Sequence, residues 1–271
     1  TLEIERYRGV VSLASAIPIA SGFGSSAAVC ACVSRILLAA ESSGDISNRA
    51  EPKGTAEELS GSHRLTTHPS HFMPSAPHPR RLWSLANRLE RFFHGTPSGI
   101  DTGLAVLGGT QAFYFPEETK RGELPRAYPR AAFPGWLVAG SVPRIGSTKA
   151  LVNAVREQVE LEPRAMERLR RLGEIALEAA ELLEEREPER VISETARKSE
   201  EAQELLRGFG LSHPEVEEAL SAGRDAGASG GKISGAGGGG AFYLVCRNGT
   251  EAKSVFRAVG SVTGEEHLVT I

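Results

Sequence analysis

Between residues 164 and 186, Met166, Leu169, Leu172, Ile175, Ala179 and Leu182 recur at steps of three and four, the spacing of one apolar stripe on an α-helix. The same spacing predicts helices over 191–207 and 213–226. Ser212, with Glu215 three residues on, reads as a capping box that starts the second of these. Further upstream, small and apolar residues predict a buried helix over 25–40, followed by helices over 82–93, 97–107 and 148–159. Strand-like runs occupy 2–17, 110–115, 136–142 and 241–246, and a short helix then precedes a last strand near 267–271. Strands mixed with helices, without strict βαβ alternation, predict an α+β architecture in two lobes.

Two stretches break the pattern. Residues 42–80 hold Gly, Ser, Thr, Pro and four histidines (His63, His68, His71, His78), and read as an irregular insertion. Those histidines form no i,i+4 pair and lack nearby carboxylates, so they read as solvated loop residues rather than a metal site. Residues 116–133 form a polar, Pro-bearing connection and a candidate boundary, which divides the chain into domains 1–130 and 131–271.

Composition narrows the functional classes. The 271 residues carry 31 Lys+Arg against 34 Asp+Glu, a net charge of −3, with no dense basic block, so nucleic acid is not an expected partner. No apolar run reaches the roughly 18 residues of a membrane span. Three cysteines, Cys30, Cys32 and Cys246, cannot all pair and match no zinc spacing, which suits a reducing cytoplasm. Glycine is over-represented, at 30 residues, and its clusters coincide with the candidate chemistry.

Three segments carry that chemistry. Pro18–Ala28 (PIASGFGSSAA) sets a small-residue loop before a helix, whose unpaired N–H groups and partial positive charge suit phosphate oxygens. A close-packed helix start with no ligand would use the same residues. A dinucleotide fingerprint over Gly22–Ala27 fails because Glu41 ends a helix rather than a second strand. In Glu90–Asp101 (ERFFHGTPSGID), two carboxylates flank a glycine-proline turn that can point both into one cleft. One carboxylate for magnesium and one for an alcohol is what phosphoryl transfer needs. The plainer alternative is a helix-start charge and a surface acid. Lys232–Gly240 (KISGAGGGG) holds five glycines in six positions, which permit left-handed backbone and close approach to a ligand or another backbone segment.

In this order, the three segments resemble the motifs of the GHMP kinase family, and within it those of the mevalonate kinases. The phosphate loop P-x-x-x-G-L-G-S-S-A-A corresponds to Pro18–Ala28, H-G-x-P-S-G-x-D to His94–Asp101, and K-[LIT]-[ST]-G-A-G-G-G-G to Lys232–Gly240. Val142-Pro143-Arg144, Ser147–Val152 and Leu211–Glu215 extend the likeness. The resemblance implies a ribosomal-protein-like N-terminal lobe and a ferredoxin-like C-terminal lobe. It implies ATP and Mg²⁺ as cofactors, transfer to the C5 hydroxyl of mevalonate, and a homodimer as a candidate assembly. By position, Asp101 is the implied catalytic residue, and Ser26 and Glu90 the metal ligands. Ser15, Ala20, Ser21, Gly22, Phe23, Gly24, Ser25 and Ser26 are implied to contact ATP, and His94 and Gly95 the substrate. Ser234, Gly235, Ala236, Gly237 and Gly238 fall in the third motif. The family's first motif, P-G-K-x-x-L-x-G-E-H, has no counterpart here, so the resemblance implies an N-terminally incomplete kinase. Alternatives are a degenerate nucleotide-binding protein of the same fold, or a kinase for phosphomevalonate or the 3-hydroxyl of mevalonate.

Overall fold

The structure is a computed structural model that describes residues 24–43, 78–120, 122–264 and 268–271. The expected strand over 2–17, the loop residues Ser15 and Ala20–Phe23, and nearly all of the 42–80 insertion lie outside the described residues. The described part is α+β and forms two compact units.

One unit gathers three helices, α1 (Ser25–Ser43), α2 (Pro79–His94) and α3 (Ile100–Leu107). Cys30 and Ala31 of α1 pack on Ala86 of α2, and Leu38 packs on Leu82 and Leu85, with Val106 of α3 touching both clusters. The turn between α2 and α3 is fixed by side chains. Trp83 Nε1 donates to the Gly99 carbonyl at 2.8 Å, and Thr102 Oγ1 donates to Asn87 Oδ1 at 3.2 Å. The edges of the expected insertion are helical: α1 runs to Ser43, and α2 starts at Pro79 with the His78 ring accepting from Arg80 N–H.

The other unit contains β1 (Thr110–Tyr114), β2 (Arg126–Arg130), β3 (Trp136–Val142), α4 (Thr148–Leu161), α5 (Pro163–Leu182), α6 (Pro188–Gly208), α7 (Pro214–Asp225), β4 (Gly230–Ile233), β5 (Gly240–Cys246), α8 (Gly249–Thr263) and β6 (Leu268–Thr270). The order β4-β5-β3-β6, antiparallel throughout, is the βαββαβ ferredoxin-like arrangement with extra helices in its first crossover. Alternation along β5 explains its unbroken apolar sequence. Phe242, Leu244 and Cys246 enter the core with Val216, Leu220, Val255 and Val259 of α7 and α8, while Tyr243 and Val245 meet Ile192 and Ala196 of α6.

Three expectations change. The connection 116–133 contains a strand, β2, paired with β1 from Thr110↔Arg130 to Tyr114↔Arg126. Pro129 within it obscured the pattern, and a two-stranded sheet tolerates proline at an edge. The Ser212/Glu215 capping box does not form. His213 caps α7 with its ring accepting from Glu215 N–H, and the Ser212 hydroxyl donates to Glu217 instead. On α5, Met166 and Leu169 are exposed, whereas Ala165, Ile175 and Leu182 are buried. The face turned inward is the one that meets α6, where Arg171 pairs with Glu201 at 2.6 Å.

Candidate active site

Four side chains of the three-helix unit converge. On α1, Ser26 and Cys30 stand four residues apart and so share a face; on α2, Glu90 and His94 do the same. Ser26 Oγ donates to Glu90 Oε1 at 2.7 Å, and Cys30 Sγ donates to Glu90 Oε2 at 3.1 Å. His94 Nε2 lies 3.2 Å from Ser26 Oγ and 3.3 Å from Glu90 Oε1. Glu90 is only 2% exposed, so both of its oxygens depend on these partners. Burial, then the hydrogen bond to Glu90 and its charge, push the Cys30 thiol up to about 12.

Asp101 is the second residue of α3 and opens to solvent. The protein around it still disfavours its charged form. Desolvation first, and then the negative charge of Glu90, hold its carboxyl above the ordinary range, against an opposing pull from His94. Asp101 therefore senses the charge of Glu90 across the turn. Gly95 (φ 67°) ends α2 and Gly99 (φ 88°) precedes α3; both conformations favour glycine. Gly95 N–H closes the helix by donating to the Arg91 carbonyl at 2.9 Å.

Gly24, also left-handed (φ 72°), leads directly into Ser25 at the first turn of α1. Of the expected phosphate-loop residues, Gly24, Ser25 and Ser26 are described, at the start of a 19-residue helix.

The third motif lies in the other unit, between β4 and β5. Gly238 N–H donates to the Leu211 carbonyl at 2.8 Å, and Ile145 N–H donates to the Gly238 carbonyl at 2.7 Å. A Cβ at Gly237 would sit 2.4 Å from the Leu211 carbonyl oxygen, and one at Gly239 2.2 Å from that of Pro143. The glycines from 237 to 239 thus let backbone meet backbone, and Gly240 makes room for the Arg144 guanidinium, 2.8 Å from a built Cβ. Gly235 differs, with only Arg144 Nη2 nearby, at 3.9 Å from a built Cβ. Arg144 donates to Thr148 Oγ1 at 3.2 Å, while its buried Nε has no partner among the described residues. In the same unit, a groove of about 580 Å³ along α6 carries none of the expected site residues, and its Arg190, Arg197 and Arg247 are ion-paired with Glu185, Glu194 and Glu251.

A hydroxyl beside a carboxylate offers two hard oxygen donors, the set a hexacoordinate, phosphate-bound Mg²⁺ uses. Among the described residues no group of three or more His, Cys, Asp or Glu could hold a metal by itself. Cys30 was missed at the sequence level, although its spacing of four from Ser26, facing the Glu90/His94 pair, was a readable signal. Among the described residues no helix is long and apolar enough to cross a membrane.

Comparison with known proteins bears on the family. Residues 154–263 match the family model described as GHMP kinases C terminal. Mevalonate kinase from Thermococcus gammatolerans is 30% identical over 97% of this chain and 66% of its own length. The Thermococcus sibiricus mevalonate kinase is 29% identical over 99% of this chain and 68% of its own. The chain thus spans about two thirds of these relatives, and 61% of the mevalonate kinase of Pyrococcus abyssi. Among solved structures, L. major mevalonate kinase in complex with R-mevalonate superposes with a TM-score of 0.61 at 23% identity, covering 72% of this chain and 58% of that one. Methanococcus jannaschii mevalonate kinase gives 0.59 at 16% identity, covering 95% and 65%. With motifs, sheet order and relatives in agreement along nearly its whole length, the chain belongs to the GHMP kinase family.

Proposed function

We propose that the protein transfers the γ-phosphoryl group of ATP to the C5 hydroxyl of (R)-mevalonate, forming 5-phosphomevalonate for isoprenoid precursor synthesis. The observation that carries this reading is the 2.7 Å hydrogen bond joining Ser26, at the start of α1, to Glu90 on α2. It gathers the implied metal ligands at one helix N-terminus, where phosphates bind. The relatives from Thermococcus gammatolerans and Thermococcus sibiricus, both mevalonate kinases, and the R-mevalonate in the L. major structure support the substrate.

In this reading, the loop from Ala20 to Ser26, with Ser15 before it, wraps the ATP phosphates through backbone amides. Ser26 and Glu90 would hold Mg²⁺, which when bound neutralises phosphate charge. His94 and Gly95 border the mevalonate position, and Asp101 orients its C5 hydroxyl. An aliphatic alcohol is far too weak an acid for a carboxylate to ionise in advance. The O–H proton therefore passes to an Asp101 oxygen as the new O–P bond forms and the bond to ADP breaks. Asp101's upward shift narrows the acidity gap between carboxylic acid and alcohol, which favours that transfer. Ser234, Gly235, Ala236, Gly237 and Gly238 belong to the third motif, in which Gly235 has only the Arg144 guanidinium beside it. Residues 1–130 as ATP-binding domain, 131–271 as the second domain, a homodimer and a cytoplasmic location complete the proposal. The free Cys30, Cys32 and Cys246 favour that location.

The test is a product assay with ATP and either mevalonate or phosphomevalonate. Phosphate appearing on the C5 oxygen of mevalonate is expected. Transfer only to phosphomevalonate, or to the 3-hydroxyl, would reassign the substrate, and ATP binding without transfer to either compound would favour a degenerate kinase.

A further inference from the structure

Glu90 is held from two sides, and the proposed reaction uses only one of them. Ser26 takes Oε1, on the side of the helix N-terminus, while Oε2 is turned the other way, toward Cys30. Cys30 is 2% exposed and packs with Ala31 and Ala86 in a small apolar cluster flanked by Leu89 and Val106. A carboxylate edge facing such a cluster is costly to bury without a donor, and among the described residues the thiol is the donor recorded for Oε2. Without it, rotation of the carboxylate toward water would relieve that cost, and Oε1 would swing off Ser26.

We propose that Cys30 is a positioning residue: its S–H···Oε2 bond fixes the rotation of the Glu90 carboxylate so that Oε1 stays beside Ser26, ready to share a divalent cation. The inference rests on the assignment of Ser26 and Glu90 as the metal pair. A thiol suits the task for a chemical reason. It is a weak donor, so it satisfies the inward oxygen while withdrawing little negative charge from the group that must attract the cation. It also fills the apolar niche beside Ala86 with a soft, nearly hydrophobic group.

The experiment titrates Mg²⁺ against binding of a fluorescent ATP analogue to the whole protein, without mevalonate and hence without turnover. Parent, Cys30→Ala and Cys30→Ser are compared, and thermal melts confirm that each is folded. Loss of an outer partner of a metal ligand typically weakens metal affinity about 10–100-fold. Cys30→Ala is expected to raise the Mg²⁺ midpoint by at least about ten-fold and to leave metal-free nucleotide binding unchanged. Cys30→Ser, which keeps an O–H donor, is expected to stay within about three-fold of the parent. A Cys30→Ala midpoint equal to the parent's, or an equal rise in both variants, overturns the positioning role while leaving the metal pair intact. A parent whose nucleotide binding ignores Mg²⁺ overturns the metal pair and this inference together.

Discussion

Ser26 and Glu90 stand 64 positions apart in the chain and meet through a 2.7 Å hydrogen bond. One begins a helix; the other lies four residues before the end of the next, buried to 2% exposure. The contact places a carboxylate beside a helix N-terminus, a position that favours negative charge. Glu90→Gln removes the charge and keeps the shape, so the Mg²⁺ requirement of nucleotide binding should rise at least about ten-fold, with metal-free binding nearly unchanged. An unchanged Mg²⁺ titration would remove Glu90 from the metal pair.

The glycine motif separates into two parts, and the difference is measurable. Gly239 has φ +93°, and a side chain there would meet the Pro143 carbonyl at 2.2 Å. Gly235 has φ +79° but no backbone crowding. Gly239→Ala should cost about 2–4 kcal/mol, lowering Tm by roughly 5–15 °C, against about 1–2 kcal/mol for Gly235→Ala. Equal melting temperatures for the two variants would contradict this packing.

Acid stability provides an independent check on α7. Burial pushes Glu217 up, but hydrogen bonds from Arg207, Ser212 and Gln203 outweigh it and bring the group down to about 2. A group depressed in the folded state stabilises above its unfolded value, here 4.5, and loses that contribution as pH falls toward about 2. Glu217→Gln should therefore lower stability at neutral pH by an amount on the order of 1–3 kcal/mol, read as a lower Tm, and the gap to the parent should close in acid. A gap constant with pH would show that the charge of Glu217 is not what stabilises α7.

Asp101 titrates under the influence of Glu90. Because the charge of Glu90 raises the Asp101 value, Glu90→Gln should lower it, a shift that ¹³C NMR of the Asp101 carboxyl can follow in the metal-free protein. A value unmoved by that substitution would mean that the two carboxylates do not share one electrostatic environment.

Much of this was legible from spacing. The steps of three and four found the long helices, and the unbroken apolar run 241–246 found the strand covered on both faces. Ser26, Glu90 and Asp101 stood out as candidates because helix ends and a glycine turn limit where they can point, and His94 through the family motif; the structure brings Ser26, Glu90 and His94 together. The hidden parts depended on long-range contacts. Strand β2 carries Pro129 and polar residues, and only pairing with β1 reveals it. Ser212 looked like a cap, but Gln203 of α6 and Glu217 of α7 offered its hydroxyl better partners. Nor could periodicity choose between ligand and backbone as the reason for five clustered glycines. The carbonyls of Pro143 and Leu211 answer for Gly237 and Gly239.

The most direct test of the account is the turnover of Asp101→Asn with ATP and mevalonate. The substitution keeps the shape and one acceptor oxygen, and removes the charge that receives the proton. General-base roles typically contribute about 10²–10⁴-fold, or roughly 3–5 kcal/mol of barrier. The account predicts that kcat falls by at least about 10²-fold while ATP affinity stays near that of the parent. A parent that clearly phosphorylates mevalonate, paired with an Asp101→Asn variant of nearly equal kcat, would contradict it.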